Sequence, residues 1–173
     1  LTEILRLHQV CNGFLKTDSG QYYGFKHNPK LTELLRILDE VTGKSIIWVT
    51  YVYNIEEIKS RLKAVYGKDS VVSIYGKDSV EDRKRSVEAF QSDDRCRFLV
   101  GNPSVGGYGL TLTAARNVIY FSNSYNLEVR KQSEDRAHRI GQKHKVTYID
   151  IQVPNSIDTM IISSLKRKIQ LSA

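Results

Sequence analysis

Between Gln132 and Gln142 the chain reads QSEDRAHRIGQ, the densest run of potential chemistry in its 173 residues. If this run is helical, about 100° of turn per residue puts Gln132, Arg136 and Arg139 within roughly 60° of arc. One amide and two guanidiniums then face the same way, and Arg130 points to the opposite side. Two guanidiniums converging on one place suit a phosphoryl group, because each is a planar, permanently charged fork that can clamp oxygens and stabilise charge growing during transfer. The same spacing also describes a solvated basic helix face, so the claw needs companions. His138 has no second ligand nearby and is read as a packing or hydrogen-bonding residue; no metal site is expected.

A phosphate cradle is the first companion to look for. Gly43-Lys44-Ser45 ends like a phosphate-binding loop, but the first glycine of such a loop would fall at Leu38 inside a helical pattern, and the tripeptide enters a strand where it should open a helix. No other run fits, and no Asp-Glu pair follows an apolar strand to hold magnesium. The chain has arginines for a phosphate and nothing to cradle one.

The elements that must position the claw are legible from periodicity. Residues 2–12 read as a helix and 13–28, rich in Gly, Ser, Asp and Tyr, as a loop. Asn28-Pro29 starts a helix, and Leu31, Leu34, Leu35, Leu38 and Val41 carry it to Gly43. Ser45–Thr50 (SIIWVT) is a strand apolar on both faces. A helix through Ile55, Ile58, Leu62 and Val65, a strand at Val71–Ile74, a helix through Val80, Val87 and Phe90, and a strand at Arg97–Val100 follow. Beyond a glycine-rich loop come a strand at Val118–Phe121, a helix at Leu127–Ala137, a strand at Val146–Val153 and a last helix through Ile157, Met160, Ile161 and Leu165. This alternation predicts an α/β fold with a mainly parallel sheet, right-handed crossovers and helices on both faces, with ligands beyond the carboxyl ends of the strands. The hexapeptide YGKDSV occurs twice, at 66–71 and 75–80, as turn chemistry and not as a structural repeat; in the second copy Asp78 or Ser79 is placed to cap a helix.

Composition bounds the rest. With 40% hydrophobic residues the chain suffices for one well-buried core. No apolar run approaches the roughly 18 residues a membrane span needs, and no charged-then-apolar leader opens it, so a soluble, unexported chain without membrane partners is expected. Cys11 and Cys96 lie outside metal-ligand spacing and read as reduced thiols. A net charge of +7 and a pI near 9.4 suit a polyanionic partner, since cations meeting phosphates release condensed counterions.

Gln-x-x-x-Arg-x-x-Arg resembles motif VI of superfamily 2 helicases, and DRAHRIGQ at 135–142 is similar to the form found in Swi/Snf-type remodelling and repair ATPases. GGYGLTLTAA at 106–115 resembles their motif V, VIYFSNSYN at 118–126 their next strand and loop, LRLHQVCN at 5–12 a helix of their helical insertion, and SIDTMIISSLKRK at 156–168 their closing helix. The sequence departs from the family at Thr111, usually asparagine, at Ser122 and Ser124, usually aspartate, at Tyr125 for tryptophan and at Leu127 for proline. Those departures fit a compact bacterial, phage or viral member at least as well as a eukaryotic remodeller.

The resemblance implies a RecA-like C-terminal helicase lobe at 29–173, preceded at 1–28 by a remnant of the helical insertion. Arg136 and Arg139 would match the pair that reaches ATP across an interlobe cleft, with Arg139 the finger and Gln132 its positioning partner; Gly106, Gly107 and Gly109 would let backbone approach the nucleotide. Thr50, Tyr51, Gly76, Lys77, Arg83, Asn102 and Ser104 would match positions along the nucleic-acid backbone. The parent protein would be a DNA-dependent ATPase translocating on double-stranded DNA. An N-terminal RecA-like lobe of the same chain would hold ATP and Mg, and this lobe alone would bind no cofactor. Such a protein would work inside the cell, in the cytoplasm if bacterial, phage or viral and in the nucleus if eukaryotic. The alternatives are a lobe of a strand-separating DNA or RNA helicase and a non-catalytic nucleic-acid-binding module.

Overall fold

A computed structural model describes residues 2–105 and 110–171. The loop glycines 106, 107 and 109 lie outside the described residues. The centre is a five-stranded, all-parallel sheet of β3 (Lys44–Trp48), β4 (Val71–Ile74), β5 (Phe98–Gly101), β6 (Ala115–Tyr120) and β7 (Thr147–Asp150), in the order β4-β5-β3-β6-β7. β3 is central because its KSIIW run is apolar towards both faces. Ile47, with Val49 just beyond the strand, packs under α2 (Pro29–Glu40) and α3 (Val52–Tyr66), against Leu34, Leu38, Ile55, Ile58 and Leu62. Ile46 and Trp48 point the other way, into a layer formed with Phe90 of α4 (Val80–Ser92), Leu112 and Ala137. Burying each such side chain contributes about 1.5–3 kcal/mol, so a strand filled on both sides anchors the lobe.

Local signals set the helix ends. Asn28 caps α2 by accepting from the Leu31 amide, with Pro29 at the first helical position. Ser79 caps α4 by accepting from Asp82 N, so the second YGKDSV copy opens a helix while the first passes from α3 through a single 3-10 turn, Lys68–Ser70, into β4. Gly43, at φ +81°, ends the α2 connection, and a Cβ there would meet Arg116 Cδ at 2.5 Å. Its neighbour Lys44 spends its ammonium on the carbonyls of Phe90 and Asp93, each at 2.7 Å, where a phosphate-loop lysine would face phosphate.

Three sequence expectations need correction. Residues 13–28 are not all loop: β1 (Phe14–Lys16) and β2 (Tyr22–Gly24) pair antiparallel around a Thr17–Gly20 turn. Three-residue strands are too short to alternate visibly, and turn-forming residues masked them. The helix expected at Leu127–Ala137 is α5 (Leu127–Asp135), and the strand expected at Val146–Val153 shrinks to β7 at the sheet edge, where one neighbour alone supplies hydrogen bonds.

The N-terminal helix α1 (Thr2–Cys11) and the hairpin are fastened to the lobe through Asn12. The Asn12 carbonyl accepts from Asn28 and Asn54, and its side-chain oxygen accepts from Lys30 Nζ at 3.0 Å. Lys30 is 2% exposed and also binds Asp158 at 2.9 Å, near the start of α6 (Ile157–Leu171). Burial lowers the Lys30 pKa and Asp158 opposes the shift. Among the described residues no helix is long and apolar enough to cross a membrane.

Candidate functional site

The carboxyl ends of β3, β5 and β6 are tied to one another by short polar bonds. Thr50 N donates to Ser122 Oγ at 2.8 Å, Asn102 Nδ2 donates to the Thr50 carbonyl at 3.0 Å, and Ser104 N donates to Asn102 Oδ1 at 2.8 Å. Three of the residues expected along a nucleic-acid backbone, Thr50, Asn102 and Ser104, therefore share one edge, as the parallel topology dictates. Lys77 is exposed in the turn after β4, which Asp78 closes by accepting from Tyr75 N at 2.7 Å. Gly76 beside it has open space where a Cβ would lie, so packing does not require glycine there. Arg83 is half-buried on α4 and its Nε finds no acceptor among the described residues.

Tyr51 is turned elsewhere. Its hydroxyl lies 2.8 Å from His8 Nδ1, and its ring meets Phe14 edge-on at 5.2 Å. Burial, with the charge of Asp158 second, pushes its phenol up to about 12, so it stays neutral and fastens α1 and the hairpin to the loop that carries Thr50.

The claw does not form as one helical face. α5 stops at Asp135; the Ala137 and His138 amides both donate to Glu134 O, and Leu112 N donates to the Arg136 carbonyl at 2.9 Å. A contact with the 110–115 segment thus replaces continued helix, and Gly141 at φ +102° turns the chain towards β7. Gln132 Nε2 donates to Glu128 at 3.0 Å. Arg136 is 6% exposed, its guanidinium 5.3 Å from the Trp48 ring centroid, and burial lowers its pKa from the ordinary arginine value. Arg139 is exposed on the turn, with Nη1 3.4 Å from Thr111 Oγ1. Gln142 pins the turn by donating to the carbonyls of Ala115 at 3.2 Å and Ala137 at 3.0 Å. Arg130, as its opposite direction on the helix suggests, turns from the claw: it stacks 3.5 Å over Tyr120 and pairs with Glu134 and Asp150.

The sequence alone marked Ser122 only as a departure from the family and did not reveal its bond to Thr50, the Trp48 contact or the Asn123–Arg130–Asp150 cluster. The signal for Ser122 was a small hydroxyl directly after an apolar strand; Trp48 passed as one more core residue. Cys11 and Cys96 are free thiols, and among the described residues no three His, Cys, Asp or Glu side chains are grouped to hold a metal.

Residues 27–141 match the helicase conserved C-terminal domain. Over 173 residues the chain is 28% identical to ATP-dependent helicase fft2 of Schizosaccharomyces pombe, covering 95% of this chain and 13% of that protein. It is 29% identical to the chromatin-remodeling ATPase INO80 of Homo sapiens over 157 residues, 91% of this chain and 10% of that protein. To the uncharacterized ATP-dependent helicase MG018 of Mycoplasma genitalium it is 29% identical across 99% of this chain and 16% of that protein. The chain thus spans 10% to 16% of these relatives' length. The crystal structure of the C-terminal part of the Fun30 ATPase domain superposes with a TM-score of 0.72 at 24% identity, covering 80% of this chain and 46% of that one, which supports the RecA-like fold. The chain belongs to the helicase conserved C-terminal domain family and is a C-terminal helicase lobe of the Swi/Snf type.

Proposed function

We propose that this chain is the C-terminal motor lobe of a DNA-dependent ATPase that translocates on duplex DNA. The observation carrying the reading is an exposed arginine, Arg139, on a turn fastened to the 110–115 segment, in a lobe whose Lys44, in a tripeptide that only ends like a phosphate loop, is committed to backbone carbonyls. Such a lobe supplies a charge to a nucleotide held by another lobe, which would carry the phosphate loop and the magnesium carboxylates. ATP and Mg would belong to the whole protein, where Arg139 would stabilise charge developing on the transferred phosphoryl group. Gln132 lies one turn before the end of α5 and would orient the approach.

The strand-end loops would hold the DNA backbone. Thr50 and Ser104 offer hydroxyls on an edge that Asn102 ties together, and Lys77 and Arg83 add cations, all suited to phosphates rather than base edges. Tyr51 would act indirectly, by fixing the loop of Thr50. Residues 1–28 would be what this protein keeps of the family's helical insertion.

The deciding experiment measures ATP turnover and strand separation by the full-length protein on duplex DNA. Duplex-stimulated turnover without separation supports the translocase. Strand separation would favour the helicase reading, and absence of any turnover would leave a binding module.

A further inference from the structure

The two arginines of the claw sit in opposite environments, and the residue that separates them is Trp48. A row crosses the sheet at its carboxyl edge, where Ile74, Gly101, Trp48, Tyr120 and Asp150 are successive register partners on β4, β5, β3, β6 and β7. Gly101 lets the β4 backbone approach: a Cβ there would lie 2.7 Å from the Ile74 carbonyl and in ordinary contact, 3.4 Å, with Trp48 Cζ3. Next along the row, Tyr120 carries Arg130 on its ring at 3.5 Å. Neighbouring aromatics of one row thus hold two arginines, one within α5 and one just after it.

The two anchors differ in their counter-charges. Arg130 has Asp150 and Glu134. Arg136 has no ion pair among the described residues, and Nη1 of Arg136 and Nε1 of Trp48 are both buried without an acceptor there. The indole face, 5.3 Å away, is therefore what holds the guanidinium. A planar guanidinium stacks on that face, and a lysine would not reproduce it.

We propose that Trp48 is a positioning residue, whose indole holds Arg136 inside the lobe as a brace for the turn that presents Arg139. The path is short: the Arg136 carbonyl takes Leu112 N, and Arg139 meets Thr111, the residue before it. The inference rests on the proposed reading that Arg139 serves the nucleotide with Arg136 as its partner.

Trp48 is the chain's one tryptophan, so its emission reports this contact with no background from other indoles. In this chain Arg136→Met is expected to shift Trp48 emission and Arg139→Met to leave it unchanged. An unchanged spectrum in Arg136→Met would overturn the contact without involving ATP. In the full-length protein Trp48→Leu is expected to lower kcat about 10- to 100-fold with little change in KM for ATP, as for a displaced reacting group. Trp48→Phe, which keeps an aromatic face, is expected to restore most of the loss, and Trp48→Leu with Arg136→Met to be no worse than either alone. Multiplicative losses would show that Arg136 acts independently of Trp48. Arg136→Lys guards against misfolding of the Trp48 variants: it keeps the charge and loses the stack, and full turnover in it would overturn the brace. If Arg139→Ala leaves turnover intact, the nucleotide reading fails, while the emission result still decides whether the indole holds Arg136.

Discussion

Arg139 is exposed on the turn after α5, so its replacement by alanine is expected to act on function more than on the core. In the full-length protein we expect kcat to drop by about three orders of magnitude, in the range reported for arginine fingers, while nucleotide binding changes far less. Single-turnover kinetics beside equilibrium nucleotide titration check this; equal losses in both would place Arg139 in ground-state binding. His8 is the residue whose environment predicts a pH effect. It is 7% exposed, between Tyr51 and Asp158 and close to Lys30, and burial pulls its pKa down to about 4, with Asp158 raising it and Lys30 lowering it further. Between pH 6.5 and about 4 the unfolded chain therefore binds more protons at this site than the folded one, and stability falls as pH falls through that window. Thermal melts across that range should show a slope that His8→Gln flattens, and an unchanged slope would assign the acid sensitivity to other groups.

At the scale of elements, the junction of the hairpin with α2 is the most constrained. Gly13 sits at φ +81°, and a Cβ there would come within 2.4 Å of Asn28 Nδ2, so the left-handed backbone and the close approach both require glycine. Asn28 itself caps α2 and donates to the carbonyl of Asn12. Asn28→Ala should destabilise the chain by about 1–2 kcal/mol as a lost cap, and Gly13→Ala by at least a similar amount, since left-handed backbone alone costs about 1–2 kcal/mol. Urea unfolding followed by far-UV circular dichroism measures both. Losses below a few tenths of a kcal/mol would mean that this junction is not part of the cooperative unit. The end of α5 shows the converse: there a tertiary hydrogen bond from Leu112 takes the carbonyl, and the helical arithmetic of the claw lapses.

The molecule as a whole has two proposed working surfaces, the strand-end loops and the turn of Arg139, and no phosphate cradle among its described residues. Purified alone, the chain should show no ATPase above background with or without DNA; magnesium-dependent, DNA-stimulated turnover by it would end the half-site reading. Its DNA binding should be weak, indifferent to sequence and steeply salt-dependent, as its net charge of +7 and its strand-end hydroxyls suggest. Neutralising about two or three phosphates gives a slope near −2 to −3 of log affinity against log salt, and Lys77→Ala or Arg83→Ala should each reduce it by about one unit. Fluorescence anisotropy on matched duplexes across a salt series tests this, and a marked sequence preference or a flat salt response would remove the strand-end loops from contention.

The sequence by itself determined the alternation of strands and helices, the two-faced strand within Ser45–Thr50, the helix start at Asn28-Pro29, a cap at Asp78 or Ser79 that the structure gives to Ser79, and the family, because each is written in local patterns of a few residues. It also placed Thr50, Asn102 and Ser104 at strand ends, and a parallel sheet then gathers strand ends on one edge. The tertiary structure alone decided that Arg136 is buried and Arg139 exposed, that Tyr51 faces His8, and that Lys30 lies in the interior against Asp158. Those outcomes depend on partners far away in the chain: Trp48 for Arg136, α1 for Tyr51, and the start of α6 for Lys30. Periodicity reports which face of an element is apolar, but the partner that meets a polar side chain is settled only when distant elements pack, since burial of a charge is stable only against the group that compensates it.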